Sequence, residues 1–212
     1  MNKTQVAEML NLQNQINTKV HEDWRNQRFE WYRAVWVECA ELLDHYGWKW
    51  WKKQTPDIKQ VQLELIDIWH FGLSMVLESH SDTNSAADYV VNEFQNASTI
   101  QSIDSDFKTL LEKFTGQVLV EKTFNFGLFL QLLNLAELDF AELYRTYVGK
   151  NVLNRFRQDN GYQDGSYQKT WKGREDNEWL QDILEELKQE ECVNGVFSEV
   201  LYQRLVDTYS RL

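Results

Sequence analysis

A single proline, Pro56, interrupts 212 residues, and only nine glycines accompany it. Proline and glycine let a chain turn tightly, so the corners of an all-β sandwich or barrel have little to be built from. Helices need few breakers. The sequence therefore predicts an all-α fold, a compact helical bundle occupying residues 1–212 as one domain. Hydrophobic residues at 42% and aromatics at 14% are enough to fill a sizeable core, which excludes a low-complexity disordered chain. The two cysteines, Cys39 and Cys192, form no CxxC pair, which argues against a disulfide framework or a thiolate zinc site. No long uncharged apolar run is present and the N-terminal stretch is polar-interrupted, so a cytoplasmic protein without membrane contact is expected.

Apolar spacing places the elements. Val6, Met9, Leu12, Ile16 and Val20 repeat at helical spacing and predict a first amphipathic helix. A second covers roughly 30–45 and ends near Gly47. The third starts with Thr55 as N-cap and Pro56 at the first helical position, and runs to about Glu78. Residues 79–117 are more polar and predict shorter helices of a subdomain. A further helix is expected near 118–135. Asp139 and Glu142 have capping-box spacing for a long helix ending before Gly161. Four of the nine glycines fall between 149 and 173, which predicts a loop there. Helices over 176–190 and about 198–210 close the chain.

Two of these helices carry an unusual pairing. In AVWVECAELL (34–43) only Glu38 and Glu41 are not apolar, and in VQLELIDIWHFGLSMVL (61–77) Glu64 and Asp67 are the only carboxylates. Residues three apart share a helix face, so each helix presents two carboxylates side by side. An isolated ExxE reads as a solvated face or a surface ion pair. Neither segment contains a Lys or Arg, however, and burying unpaired carboxylates is costly. Four such groups facing one another call for a hard dication, Mg²⁺ or Mn²⁺ by their all-oxygen chemistry, with room for two ions. His70 lies three residues beyond Asp67. It reads equally as a satisfied core histidine or as a donor to a sugar hydroxyl or other ligand oxygen. Cys39 points off the glutamate face and reads as a buried structural thiol.

The net charge of −11 is uneven. Arg145 to Arg174 holds seven basic residues against two acidic ones, a net +5, while the remainder holds 15 against 31, a net −16. An acidic body repels nucleic acid, and a cationic segment beside metal-holding carboxylates suits a small phosphorylated ligand better. Within that segment Lys150, Asn154 and Arg157 fall on one helical stripe, and Tyr162 and Lys169 follow on the glycine-bearing loop. The alternative is a solvated basic helix end. No Walker A or GxGxxG pattern is present. Gln13 and Asn17, one turn apart on the first helix, offer donor and acceptor together, the complement of a base edge, and Trp48, Trp50 and Trp51 offer stacking faces.

ECAEL (38–42), WKWWK (48–52), ELIDIWHF (64–71), GKNVLNRFRQDNGYQDGSYQKTW (149–171) and EDN (175–177) resemble the motifs of the dimeric all-helical dUTPase family, which is related to the MazG-type nucleoside triphosphate pyrophosphatases. The shared superfamily pattern is ExxE followed by ExxD, here with 22 residues between Glu41 and Glu64. The resemblance implies a dUTP diphosphatase that keeps uracil out of DNA, with dUDP as a further substrate. By the same resemblance Glu38, Glu41, Glu64 and Asp67 are metal ligands, with Glu38 or Glu41 as the catalytic base. Lys150, Arg157, Tyr162 and Lys169 hold phosphates. Gln13, Asn17, Trp51 and Asn177 contact uracil or its surroundings, with Asn154 and His70 near the deoxyribose. It also implies a homodimer, some contacts from the partner subunit, and a mobile helical subdomain within 79–135 that closes on nucleotide. Two rivals stand beside it. A broader MazG-type pyrophosphatase acting on dCTP or modified nucleotides would share the carboxylates, and a non-enzymatic helical dimer would bind a partner through the basic segment.

Overall fold

A computed structural model describes residues 1–98, 106–187 and 197–210. Cys192 and the end of the helix expected over 176–190 lie outside them. The described elements are α1 (Lys3–Val20), a 3-10 turn (Trp24–Asn26), α2 (Trp31–Tyr46), α3 (Ile58–Ser79), α4 (Thr83–Ser98), α5 (Phe107–Glu121), α6 (Phe126–Leu135), α7 (Phe140–Asp159), the strands β1 (Thr170–Trp171) and β2 (Arg174–Glu175), α8 (Asp176–Glu186) and α9 (Phe197–Tyr209). The fold is all-α, with one two-residue antiparallel hairpin that the sequence reading did not foresee. No described helix is long and apolar enough to cross a membrane. The chain divides into two compact units, residues 1–143 and 144–212.

Short polar caps begin α1, α3, α5, α6 and α7. The side chains of Asn2, Asp57, Asp106, Asn125 and Asp139 each accept a hydrogen bond from the backbone N–H three residues on. These satisfy donors that a helix N-terminus otherwise leaves open. Two expectations are corrected here. The third helix starts at Ile58 with Asp57 as its cap, so Thr55 and Pro56 lie in the preceding loop. Asp57 is held outside the helix because its N–H donates to the His45 carbonyl at 3.0 Å. The helix expected over 118–135 is broken: Lys122 turns left-handed at φ 56° and ends α5, and Asn125 caps α6.

In the first unit α2 packs along α3, with α1, α4, α5 and α6 around them. Trp69 of α3 centres the core, stacked on Phe129 at 5.4 Å and edged by Phe94, Phe124 and Phe126. Its indole N–H reaches the Met9 sulfur at 3.4 Å. Gly72 lets the Phe124 ring lie against α3, because a Cβ at that position would stand 2.4 Å from a ring carbon. Val20, expected on the buried stripe of α1, is exposed at the last position of the helix.

In the second unit Phe156 is ringed by Tyr167, Trp171, Tyr202 and Tyr209. Gly149, expected in the loop, sits inside α7 and admits Leu180 and Leu184. Gly161 does turn the loop, at φ +89°, and a Cβ there would meet the Ser166 hydroxyl at 1.9 Å. Glu175 and Glu178 close a capping box that starts α8.

Candidate active site

The α2–α3 pairing decides where the carboxylates meet. On α2, Val35, Cys39 and Leu42 face the core, which turns Glu38 and Glu41 along the adjoining stripe. On α3, Val61, Leu65 and Ile68 are buried, and Glu64 is buried with them. Carboxylate oxygens of Glu38, Glu41 and Glu64 all lie within 4.8 Å of one another. Asp67 stands outside that tight group, but its charge acts on both Glu38 and Glu64.

Such crowding has to be relieved by a proton or a cation. Burial first, then the charge of Asp67 and the bond to Glu64, push the Glu38 carboxyl up to about 7. The protonated Glu38 donates to the Glu64 carboxylate. Burial likewise raises Glu64, while the bond from Glu38 and the nearby His45 pull it back. His45 Nε2 lies 3.5 Å from Glu64 Oε1. The sequence reading missed His45, although it falls four residues after Glu41 on the same helix stripe. The expectation that all these glutamates sit on a buried surface is also corrected. Glu41 is exposed, and its apolar neighbours Trp36 and Val37 are 49% and 50% exposed.

Further along α3 a second constellation is closed. His70 Nδ1 lies 3.0 Å from Gln13 Oε1, the Gln13 amide donates to Asn17 Oδ1 at 2.9 Å, and the Asn17 amide donates to Ser74 Oγ at 3.0 Å. Ser74 returns its proton to the His70 carbonyl at 3.1 Å. The circuit is self-consistent with His70 protonated at Nδ1, and it joins three of the expected site residues to Ser74, which the sequence reading passed over. From Glu64 to Ser74 the helix rises about 15 Å. One stripe of α3 thus leads from the carboxylates to buried amides.

Trp51 lies in the α2–α3 loop, 57% exposed, with its ring edge-on to Trp48 at 5.2 Å and Trp50 at 5.4 Å. Cys39 is buried, and burial pushes its thiol up to about 12, so it is inert as expected. A separate cleft of about 480 Å³ in this unit, between Trp31, Glu78, Tyr89 and Phe126, is lined by none of the expected site residues.

The second unit gathers a different group. Arg157 donates from Nε and Nη2 to the two oxygens of Asp176 at 2.7 and 2.8 Å, a bidentate pair. Its Nη1 reaches Asn154 Oδ1 at 3.3 Å and its Nη2 reaches Asn177 Oδ1 at 3.4 Å. Two expected residues, Asn154 and Asn177, therefore meet the guanidinium of a third, Arg157. Tyr167 donates to Asp176 Oδ2 at 2.8 Å. Burial works to raise Asp176, but Arg157 and Tyr167 outweigh it and hold the carboxyl below its ordinary range. Lys150 lies one turn before Asn154 on α7, half-buried. Tyr162 and Lys169 are exposed on the loop, the latter 3.8 Å from Glu175.

Residues 5–162 match the family model described as dUTPase. The matched span includes Gln13 to Tyr162 and leaves Lys169, Asp176 and Asn177 beyond it. No curated protein matches the chain.

Proposed function

The chain belongs to the dUTPase family, and from that premise we propose that it hydrolyses dUTP to dUMP and pyrophosphate at a divalent-metal site formed by Glu38, Glu41, Glu64 and Asp67. Family membership supports the diphosphatase activity, and the observation that carries the metal site is the trio of carboxylates within 4.8 Å. An all-oxygen donor set that must share a proton when alone fits a hard dication, Mg²⁺ or Mn²⁺. When bound, such an ion draws phosphate oxygens to the cluster and offsets the charge that develops there. Glu38 or Glu41 takes the proton of the attacking water, in line with the scissile P–O bond.

The same proposal gives Lys150, Arg157, Tyr162 and Lys169 to the phosphates, from one subunit or its partner. Gln13, Asn17, Trp51 and Asn177 select uracil in a pocket too tight for a 5-methyl group, with His70 and Asn154 at the deoxyribose. Activity on dUDP, closure of the 79–135 segment on nucleotide and a homodimer complete the reading. The exposed apolar residues Trp36 and Val37 support the dimer, because neighbouring apolar side chains left in water on one helix suit an interface.

Replacing Glu38 by Gln preserves its size and removes its charge. The expected result is a loss of kcat of about 10³-fold, roughly 4 kcal/mol of transition-state stabilisation, with the circular dichroism unchanged. Full Mg²⁺-dependent turnover in that variant would overturn the metal-site assignment. A steady-state panel of dNTPs with and without Mg²⁺ tests the substrate, and equal rates on dCTP would favour the broader pyrophosphatase reading.

A further inference from the structure

We propose that Asp176 is a positioning residue for the hydrolysis of dUTP, setting the Arg157 guanidinium and, through it, the phosphate and nucleoside contacts together. The inference rests on the reading that Arg157 holds phosphate. Asp176 is the first residue of α8, and its side chain is fully buried. A buried carboxylate is costly unless it is paired, and this one is paired twice, by the bidentate Arg157 at 2.7 and 2.8 Å and by the Tyr167 hydroxyl at 2.8 Å.

The geometry leaves Arg157 little choice of rotamer. One edge of its planar fork is occupied by Asp176, so the remaining N–H directions are set, and Asn154 and Asn177 take up positions against them at 3.3 and 3.4 Å. Arg157 and Asn154 come from α7, Tyr167 from the glycine-bearing loop, and Asp176 and Asn177 from the start of α8. A single carboxylate therefore ties three segments at the point where the reading needs a cation and two amides in register. Tyr167 extends the tie to the loop that carries Tyr162 and Lys169. The bonds that Arg157 donates to Asp176 also raise the guanidinium further above its already high range. The arginine thus stays charged while it is partly withdrawn from water. A cation held in this way reaches substrate with its orientation already set, which lowers the ordering cost of binding.

A double-mutant cycle on the full-length protein tests the inference. Asp176→Asn keeps the shape but turns an amide toward the guanidinium, and it is expected to raise KM for dUTP by about tenfold or more with a smaller change in kcat. Arg157→Gln removes the cation while keeping a donor for Asp176, and it should raise KM at least as much. If Asp176 acts through Arg157, the double variant is no worse than Arg157→Gln alone. Tyr167→Phe leaves the charge pair in place and is expected to raise KM by about threefold, an effect that also vanishes in the Arg157→Gln background. It serves where Asp176→Asn does not fold. Additive effects of Asp176→Asn (or Tyr167→Phe) and Arg157→Gln would overturn the positioning role. An unchanged KM in Arg157→Gln would instead overturn the reading of Arg157 as a phosphate ligand.

Discussion

Glu38 shows how burial and neighbouring carboxylates act on one side chain. Its carboxyl is raised to about 7 by burial, by Asp67 and by the shared proton with Glu64. The native state of the metal-free protein therefore binds more protons than the unfolded chain between the ordinary glutamate range and pH 7. By linkage its stability falls as pH rises through that window. The size is on the order of 1 kcal/mol once solvent screening of a half-exposed group is allowed for. Thermal melts without metal should show a higher Tm near pH 5 than near pH 8, with the slope reduced in Glu38→Gln. Saturating Mg²⁺ should raise Tm more at pH 8 than at pH 5, because the ion competes with the proton. An unchanged slope in Glu38→Gln would mean that the shared proton lies elsewhere. At this scale the carboxylates were legible because a fixed i, i+3 spacing in an apolar setting is a local signal. His45 was not, and Asp176 stood inside the EDN motif without a role of its own. The first looks like any histidine near a helix end, and the second acquires its meaning from Arg157, nineteen residues away.

The elements position these groups through packing that glycines make visible. α3 approaches Phe124 so closely at Gly72 that Gly72→Ala must displace a ring, not a flexible side-chain end. Overpacking of this kind costs roughly 1–3 kcal/mol, and it would tilt the helix that carries Glu64, Asp67 and His70. Urea denaturation should show that loss together with reduced turnover. Gly116 in α5 is the opposite case, with open space where a Cβ would stand. Gly116→Ala should stabilise by roughly 0.5–1 kcal/mol through helix propensity alone. If both substitutions shift the midpoint alike, the close approach at Gly72 is not what sets α3. Helix existence was readable from apolar period and, for α7, from the Asp139 cap. The boundaries were less so, because a left-handed Lys122 and an Asp57 drawn to the His45 carbonyl are tertiary choices that no local pattern announces. The hairpin at 170–175 was hidden for a similar reason. Two residues per strand leave no alternation to detect.

For the whole molecule, the uneven charge now has a structural counterpart in each unit. The first unit holds the carboxylates that crowd together within 4.8 Å, and the second holds the Arg157 group. Under the proposed reading a dication completes the first and the phosphates of the substrate complete the second. The proposed dimer adds a requirement that charge does not explain. Trp36 and Val37 lie on α2 beside Glu38 yet face water at 49% and 50%. If that face is the interface, a two-fold axis makes every substitution on it count twice. Val37→Asp leaves the core residues Val35, Cys39 and Leu42 untouched, so the isolated chain should keep its Tm. Light scattering across a dilution series should then show the variant dissociating at a protein concentration roughly 100-fold higher or more than the wild type, since each copy buries one aspartate. Turnover per chain should fall along the same dilution curve if the partner contributes substrate contacts, and stay level if each chain is complete alone. Equal dimerisation of variant and wild type would place the interface elsewhere than on the outward face of α2.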